Sequence, residues 1–155
     1  CIRDRHTTGH CVLLVEPEGV AFIGDIDLTG FGPYYGDHSS DLADFRRTLA
    51  TLPDIPARTW VTFHHRGVYT ERGHFLADLA AFTGKLQERE ERLLQMMEAG
   101  PLALEQMVEQ GILYKPDTEV IWAKFAEERS ILQHLDELVA RKVVERDPQG
   151  LFRLG

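Results

Sequence analysis

Cysteine is scarce in this chain of 155 residues. Only Cys1 and Cys11 are present, too few for a disulfide framework, so a reducing cytoplasm is the expected compartment. Long apolar runs are missing too. None approaches the ~20 residues of a membrane span, and no charged start followed by an apolar stretch marks a signal peptide. Positive charge is in deficit, with 17 Lys and Arg against 25 Asp and Glu and a net charge of −8. That balance argues against affinity built on phosphate contacts. At 43% apolar and 27% charged residues, the chain has neither a disordered nor a low-complexity composition. No internal repeat, phosphate-cradling Gly-rich loop or Ser/His/Asp nucleophile pattern occurs.

What remains is unevenly spread. Six of the seven histidines (His6, His10, His38, His64, His65 and His74) lie in the first half, and only His134 lies in the second. The length suits one domain or one and a part. The chain opens on Cys1 close to its first histidine, which suggests a piece of something longer.

The first half reads as strands and turns. Residues 11–17 and 20–24 are short β-branched apolar runs around Pro17-Glu18-Gly19, the pattern of a β-hairpin. Residues 41–52 place Leu42, Phe45, Leu49 and Leu52 at helical spacing, with Ser39, Ser40 or Asp41 available as N-cap. Residues 59–63 form a further strand running into His64-His65-Arg66-Gly67. Strand, helix, strand implies an α/β (α+β layered) fold.

Near Gly84 the character changes to helical charge patterning. A helix over 86–98, another from Gly100-Pro101, and a third with Ile121, Phe125, Leu132, Leu135 and Val139 as its buried stripe are expected. His134 falls on the polar face of that helix. Met96, Met97 and Met107 read as core or interface fillers. A turn at Asp147-Pro148-Gln149-Gly150 closes a terminal hairpin. Helices followed by a hairpin make a winged-helix-like module. Residues 86–155 carry nine Lys and Arg against fourteen Asp and Glu, so packing or dimerisation suits this module better than DNA.

Three features carry chemistry. His6-Thr7-Thr8-Gly9-His10 leads into a strand; Thr-Thr-Gly is a poor helix core, so this is a turn and not a helical zinc motif. His6 then sits on the loop and His10 braces it. Gly24-Asp25 closes the next strand, where a carboxylate beside a glycine suits a metal ligand. His64-His65 closes the last one. All three fall at one edge of a sheet, where loops on a rigid scaffold build sites.

These residues, with the helix at 41–52 and the His-His-Arg-Gly ending, resemble the C-terminal half of a metallo-β-lactamase-fold hydrolase. The resemblance implies half of an αββα sandwich over residues 1–85 and a winged-helix-like extension over 86–155. It implies His6, Asp25 and His65 as metal ligands, with His64 the alternative to His65. Asp25 is the carboxylate that bridges two metals, and His10 is structural. Zinc suits such a nitrogen and oxygen set, and iron or manganese is admitted. A metal-activated water would attack an ester, a thioester or a lactone. Tyr34, Tyr35 and His38, in the loop after Asp25, are the candidates to touch substrate, and His74 reads as structural. The family's His-x-His-x-Asp-His motif has no counterpart here. An N-terminal half is therefore the expected partner, and residues 1–85 alone are expected to associate through an uncovered apolar face. A ribonuclease of the same fold and a non-catalytic half-fold that associates through its acidic helical tail are the other readings.

Overall fold

The structure of the protein, a computed structural model, describes the backbone of residues 2 and 3 and the whole of residues 9–155. The chain divides into two compact units. One comprises residues 1–35 and 39–86, the other 36–38 and 87–155.

The first unit is built on a five-stranded sheet in the order β1 (Ile2–Arg3), β2 (Cys11–Val15), β3 (Val20–Gly24), β4 (Thr59–Thr62), β5 (Val68–Tyr69). Strands β2 and β3 form the hairpin that the Pro-Glu-Gly turn predicts. Strands β3 and β4 are parallel, as their connection through a helix requires. That helix, α1 (Leu42–Thr51), starts at Asp41, whose side chain accepts the Asp44 N–H at 2.8 Å. It buries Leu42, Phe45, Thr48 and Leu49.

Register sorts the sheet's side chains into two faces. Leu14, Ala21, Trp60 and Tyr69 are paired in one cross-strand row. Trp60 is fully buried there and stacks on Phe75 at 4.5 Å between ring centroids. Leu13, Phe22, Val61 and Val68 make the adjacent row, on the opposite face. Leu13 is 47% exposed and Val68 62%, so a row of apolar side chains on this face is open.

Helix α2 (Arg72–Met96) departs from expectation. The shift in composition at Gly84 predicts a helix beginning near residue 86. Instead Gly84 lies inside a continuous 25-residue helix. One glycine costs about 1 kcal/mol relative to alanine. Against that stands a buried stripe at Phe75, Leu79, Phe82, Leu86 and Leu93, with Arg89 at the one charged position. Apolar periodicity outweighs the single weak residue.

The second unit contains the end of α2, α3 (Leu104–Gln110), α4 (Ile121–Ala140) and a hairpin of β6 (Val144–Arg146) with β7 (Phe152–Leu154). Its core gathers Leu93, Met97, Met107, Ile131, Leu135, Leu138, Val144 and Phe152. The buried face of α4 differs from the stripe read in the sequence. Ile121 and Phe125 are 86% and 66% exposed, while Ala123, Ala126, Glu127, Ser130 and His134 are buried. His134 is a core residue and does not lie on a polar face. Close packing at this face selects small side chains, and the buried carboxylate is held by specific partners. Glu127 accepts the backbone N–H groups of Ile112, Leu113 and Tyr114. Gly36 packs against Ala126, where a Cβ would come within 2.6 Å, and Arg129 donates to the carbonyls of Asp37 and His38. Among the described residues no helix is long and apolar enough to cross a membrane.

Candidate metal centre

The parallel pairing of β3 with β4 fixes the site. The N–H of Phe63 donates to the Gly24 carbonyl at 2.9 Å, which carries the pairing to the last residue of β3 and one residue past β4. Asp25 and His64 therefore leave the sheet side by side. Loops at the carboxyl ends of parallel strands are where ligand groups gather.

His64 Nε2 lies 3.4 Å from Asp25 Oδ1. His65, which adopts a left-handed backbone with φ +59°, turns its ring to Asp27, with Nε2 4.0 Å from Oδ2. Adjacent histidines thus face different carboxylates. The family resemblance favours His65 as the ligand, with His64 the alternative; in the structure His64 is the neighbour of Asp25 and His65 that of Asp27. His64 is 53% exposed and Asp25 33%, so the pair is open to solvent ligands.

His10 enters from the start of β2. Its Nε2 accepts the backbone N–H of Asp25 at 2.7 Å and lies 3.4 Å from Asp25 Oδ2. The accepted bond requires the lone pair on Nε2, placing the ring proton on Nδ1. In this arrangement that lone pair is engaged by the Asp25 main chain. Gly24 makes the approach possible. Its φ is +58°, and a Cβ there would stand 2.2 Å from His10 Nε2. Beyond Asp25, Thr29 donates from both its N–H and its hydroxyl to Asp27 Oδ1, at 3.1 and 3.0 Å, locking that carboxylate in a turn.

The donor set can be tested against a metal. Two donors each about 2.0 Å from a tetrahedral zinc lie about 3.3 Å apart. The 3.4 Å between Asp25 Oδ1 and His64 Nε2 matches that spacing, and imidazole nitrogen with carboxylate oxygen is a zinc-type pair. His6 lies outside the described residues. Of the two tyrosines named as substrate candidates, Tyr35 is completely buried. Tyr34 is half-buried and His38 exposed. His74 is exposed in the first turn of α2. Sequence reasoning assigns no role to Asp27, Thr29 or Thr62; only Asp27 carries a signal, two positions after Asp25.

Next to the histidine loop, the Tyr69 hydroxyl donates to Asp78 Oδ2 at 2.7 Å. Burial, with that hydrogen bond and the Asp78 charge, pushes its pKa up to about 12. The bond ties β5 to α2.

A separate trio stands in the second unit. Glu90 of α2 and His134 and Glu137 of α4 each offer one ligand atom within 4.8 Å of the others. Arg141 reaches Glu90 Oε1 at 2.6 Å, so a fixed positive charge already serves this cluster. Its carboxylates and fully buried imidazole read as a polar insert in the helical core.

Comparison with family models and with curated proteins gives no match. Solved structures do match. A metallo-β-lactamase family protein from Thermus thermophilus superposes with a TM-score of 0.74 at 25% identity, over 99% of this chain and 48% of its own. A β-lactamase domain protein from Burkholderia ambifaria gives a TM-score of 0.67 at 19% identity, over 97% of this chain and 46% of its own. The chain therefore spans about half the length of these structures. Near-complete coverage at such scores establishes that this chain has the fold of the metallo-β-lactamase superfamily.

Proposed function

We propose that this chain is the C-terminal, ligand-bearing half of a metal-dependent hydrolase. The observation that carries the reading is the 3.4 Å separation of Asp25 Oδ1 and His64 Nε2 at the ends of two adjacent parallel strands. Asp25 and His64 would hold a zinc ion, His65 is the alternative histidine, and His6 would join them on the resemblance. That resemblance implies two ions sharing Asp25, and the mixed nitrogen and oxygen donors also admit iron or manganese. Such an ion, when bound, activates water and polarises a substrate carbonyl.

The chain's own residues do the positioning. His10 holds the Asp25 backbone, Thr29 holds Asp27, and the β3–β4 pairing holds the two loops together. The open apolar row of Leu13, Phe22, Val61 and Val68 supports the half-sandwich reading, because a sheet apolar on both faces requires a second layer. The helices and terminal hairpin of the second unit support a winged-helix-like extension. An ester, thioester or lactone is the proposed substrate class.

Equilibrium dialysis against zinc tests the ligand assignment. The wild type is expected to retain more zinc than His6→Ala or His64→Ala, with His74→Ala unchanged. Equal zinc in all four would overturn the assignment. Turnover of a thioester, ester and lactone panel, set against single-stranded RNA, tests the substrate class.

A further inference from the structure

Thr62 is a polar residue in an apolar place. It closes β4 beside Trp60, two positions earlier on the same face, and is only 4% exposed. A buried hydroxyl needs partners, and those of Thr62 all lie in the histidine loop. Its Oγ1 donates to the His64 carbonyl at 2.9 Å and accepts the Gly67 N–H at 2.9 Å. Its own backbone N–H donates to the Gly67 carbonyl at 2.8 Å. The His64 carbonyl takes a second bond, from the Arg66 N–H at 2.7 Å. One side chain thus binds both ends of the turn that carries the two histidines.

The turn needs such a clamp. His65 has φ +59° and Gly67 φ +80°, and a left-handed conformation at a histidine persists only where its surroundings over-determine it. That conformation sends adjacent imidazoles to different carboxylates, His64 to Asp25 and His65 to Asp27. Phe63 stands edge-on to the His64 ring at 4.5 Å and braces it from the side. Phe63 is itself 65% exposed, so the buried anchor of the loop is Thr62.

We infer that Thr62 is a positioning residue of the metal centre, setting the His64 imidazole against Asp25 through the His64 carbonyl. The inference rests on the proposed metal site and deepens it. Groups that orient ligands from behind typically set about 10- to 100-fold of metal affinity.

The test is zinc titration calorimetry on the whole chain, with wild type, Thr62→Val, Thr62→Ser and His64→Ala, and with thermal unfolding recorded for each. Thr62→Val keeps the shape and removes the hydroxyl; Thr62→Ser keeps the hydroxyl. Thr62→Val is expected to bind zinc at least about tenfold more weakly, and Thr62→Ser to stay close to wild type. Equal affinity in Thr62→Val and wild type overturns the role of Thr62 while leaving the metal site standing. A wild type that binds no better than His64→Ala overturns the metal site, and this inference with it. Should Thr62→Val fail to fold, amide exchange in the wild type decides. Slow exchange is expected at Gly67 and Arg66, and exchange at unprotected rates would overturn the clamp.

Discussion

The backbone N–H of Asp25 donates to Nε2 of His10 across 2.7 Å, joining residues fifteen positions apart at one edge of the sheet. The bond fixes the histidine's tautomer and the direction in which Asp25 leaves β3. With Asp25 held from its own main chain, its Oδ1 stands 3.4 Å from His64 Nε2.

The close approach depends on Gly24. Gly24→Ala puts a Cβ into the His10 ring at a φ of +58°, where alanine is strained even in open space. The variant is expected to lose more than about 2 kcal/mol of stability. Urea unfolding midpoints check this, and a Gly24→Ala chain as stable as wild type would mean His10 is not seated there.

Tyr69 gives a pH signature. Its pKa is raised from 10.0 to about 12, so the folded state holds the phenolic proton more tightly than the unfolded state. That contribution is complete below pH 10 and is lost as pH rises towards 12. Wild type should therefore lose stability relative to Tyr69→Phe across this interval. Parallel unfolding curves for the two proteins would show that Tyr69 is not held in this buried site beside Asp78.

Glu127 is 3% exposed and accepts three consecutive backbone N–H groups, those of Ile112, Leu113 and Tyr114. Glu127→Ala leaves them buried or half-buried without this acceptor and is expected to cost about 3 kcal/mol. Glu127→Gln, which retains one acceptor oxygen, should cost less. Chemical denaturation ranks the three proteins.

Sequence patterning exposed some of this and hid the rest. The β2–β3 hairpin, α1 and the terminal hairpin were legible because turn residues and apolar spacing agree locally. The extent of α2 was not, because Gly84 and the change in charge pattern look like a boundary. The buried face of α4 was hidden because apolar Ile121 and Phe125 point outward while Glu127 and His134 point inward, Glu127 satisfied by tertiary partners. Asp25 and the His64–His65 pair stood out at strand ends. Their pairing depends on the left-handed turn at His65 and on the Thr62 hydroxyl, and a threonine in a strand looks like any other.

The open sheet row yields a prediction about association. Leu13 and Val68, 47% and 62% exposed, are expected to drive self-association of the chain, because exposed apolar patches seek partners. Sedimentation velocity should show wild type associating and Leu13→Lys/Val68→Lys as a monomer. A monodisperse wild-type monomer would contradict the half-sandwich reading.

The central claim is that Asp25 and His64 share one metal ion. A double-mutant cycle in zinc affinity, from wild type through Asp25→Asn and His64→Ala to the double variant, tests it most directly. If both residues bind the same ion, each single substitution removes most of the affinity and the double variant is hardly worse than either. Two losses that simply add, or none at all, would contradict the account.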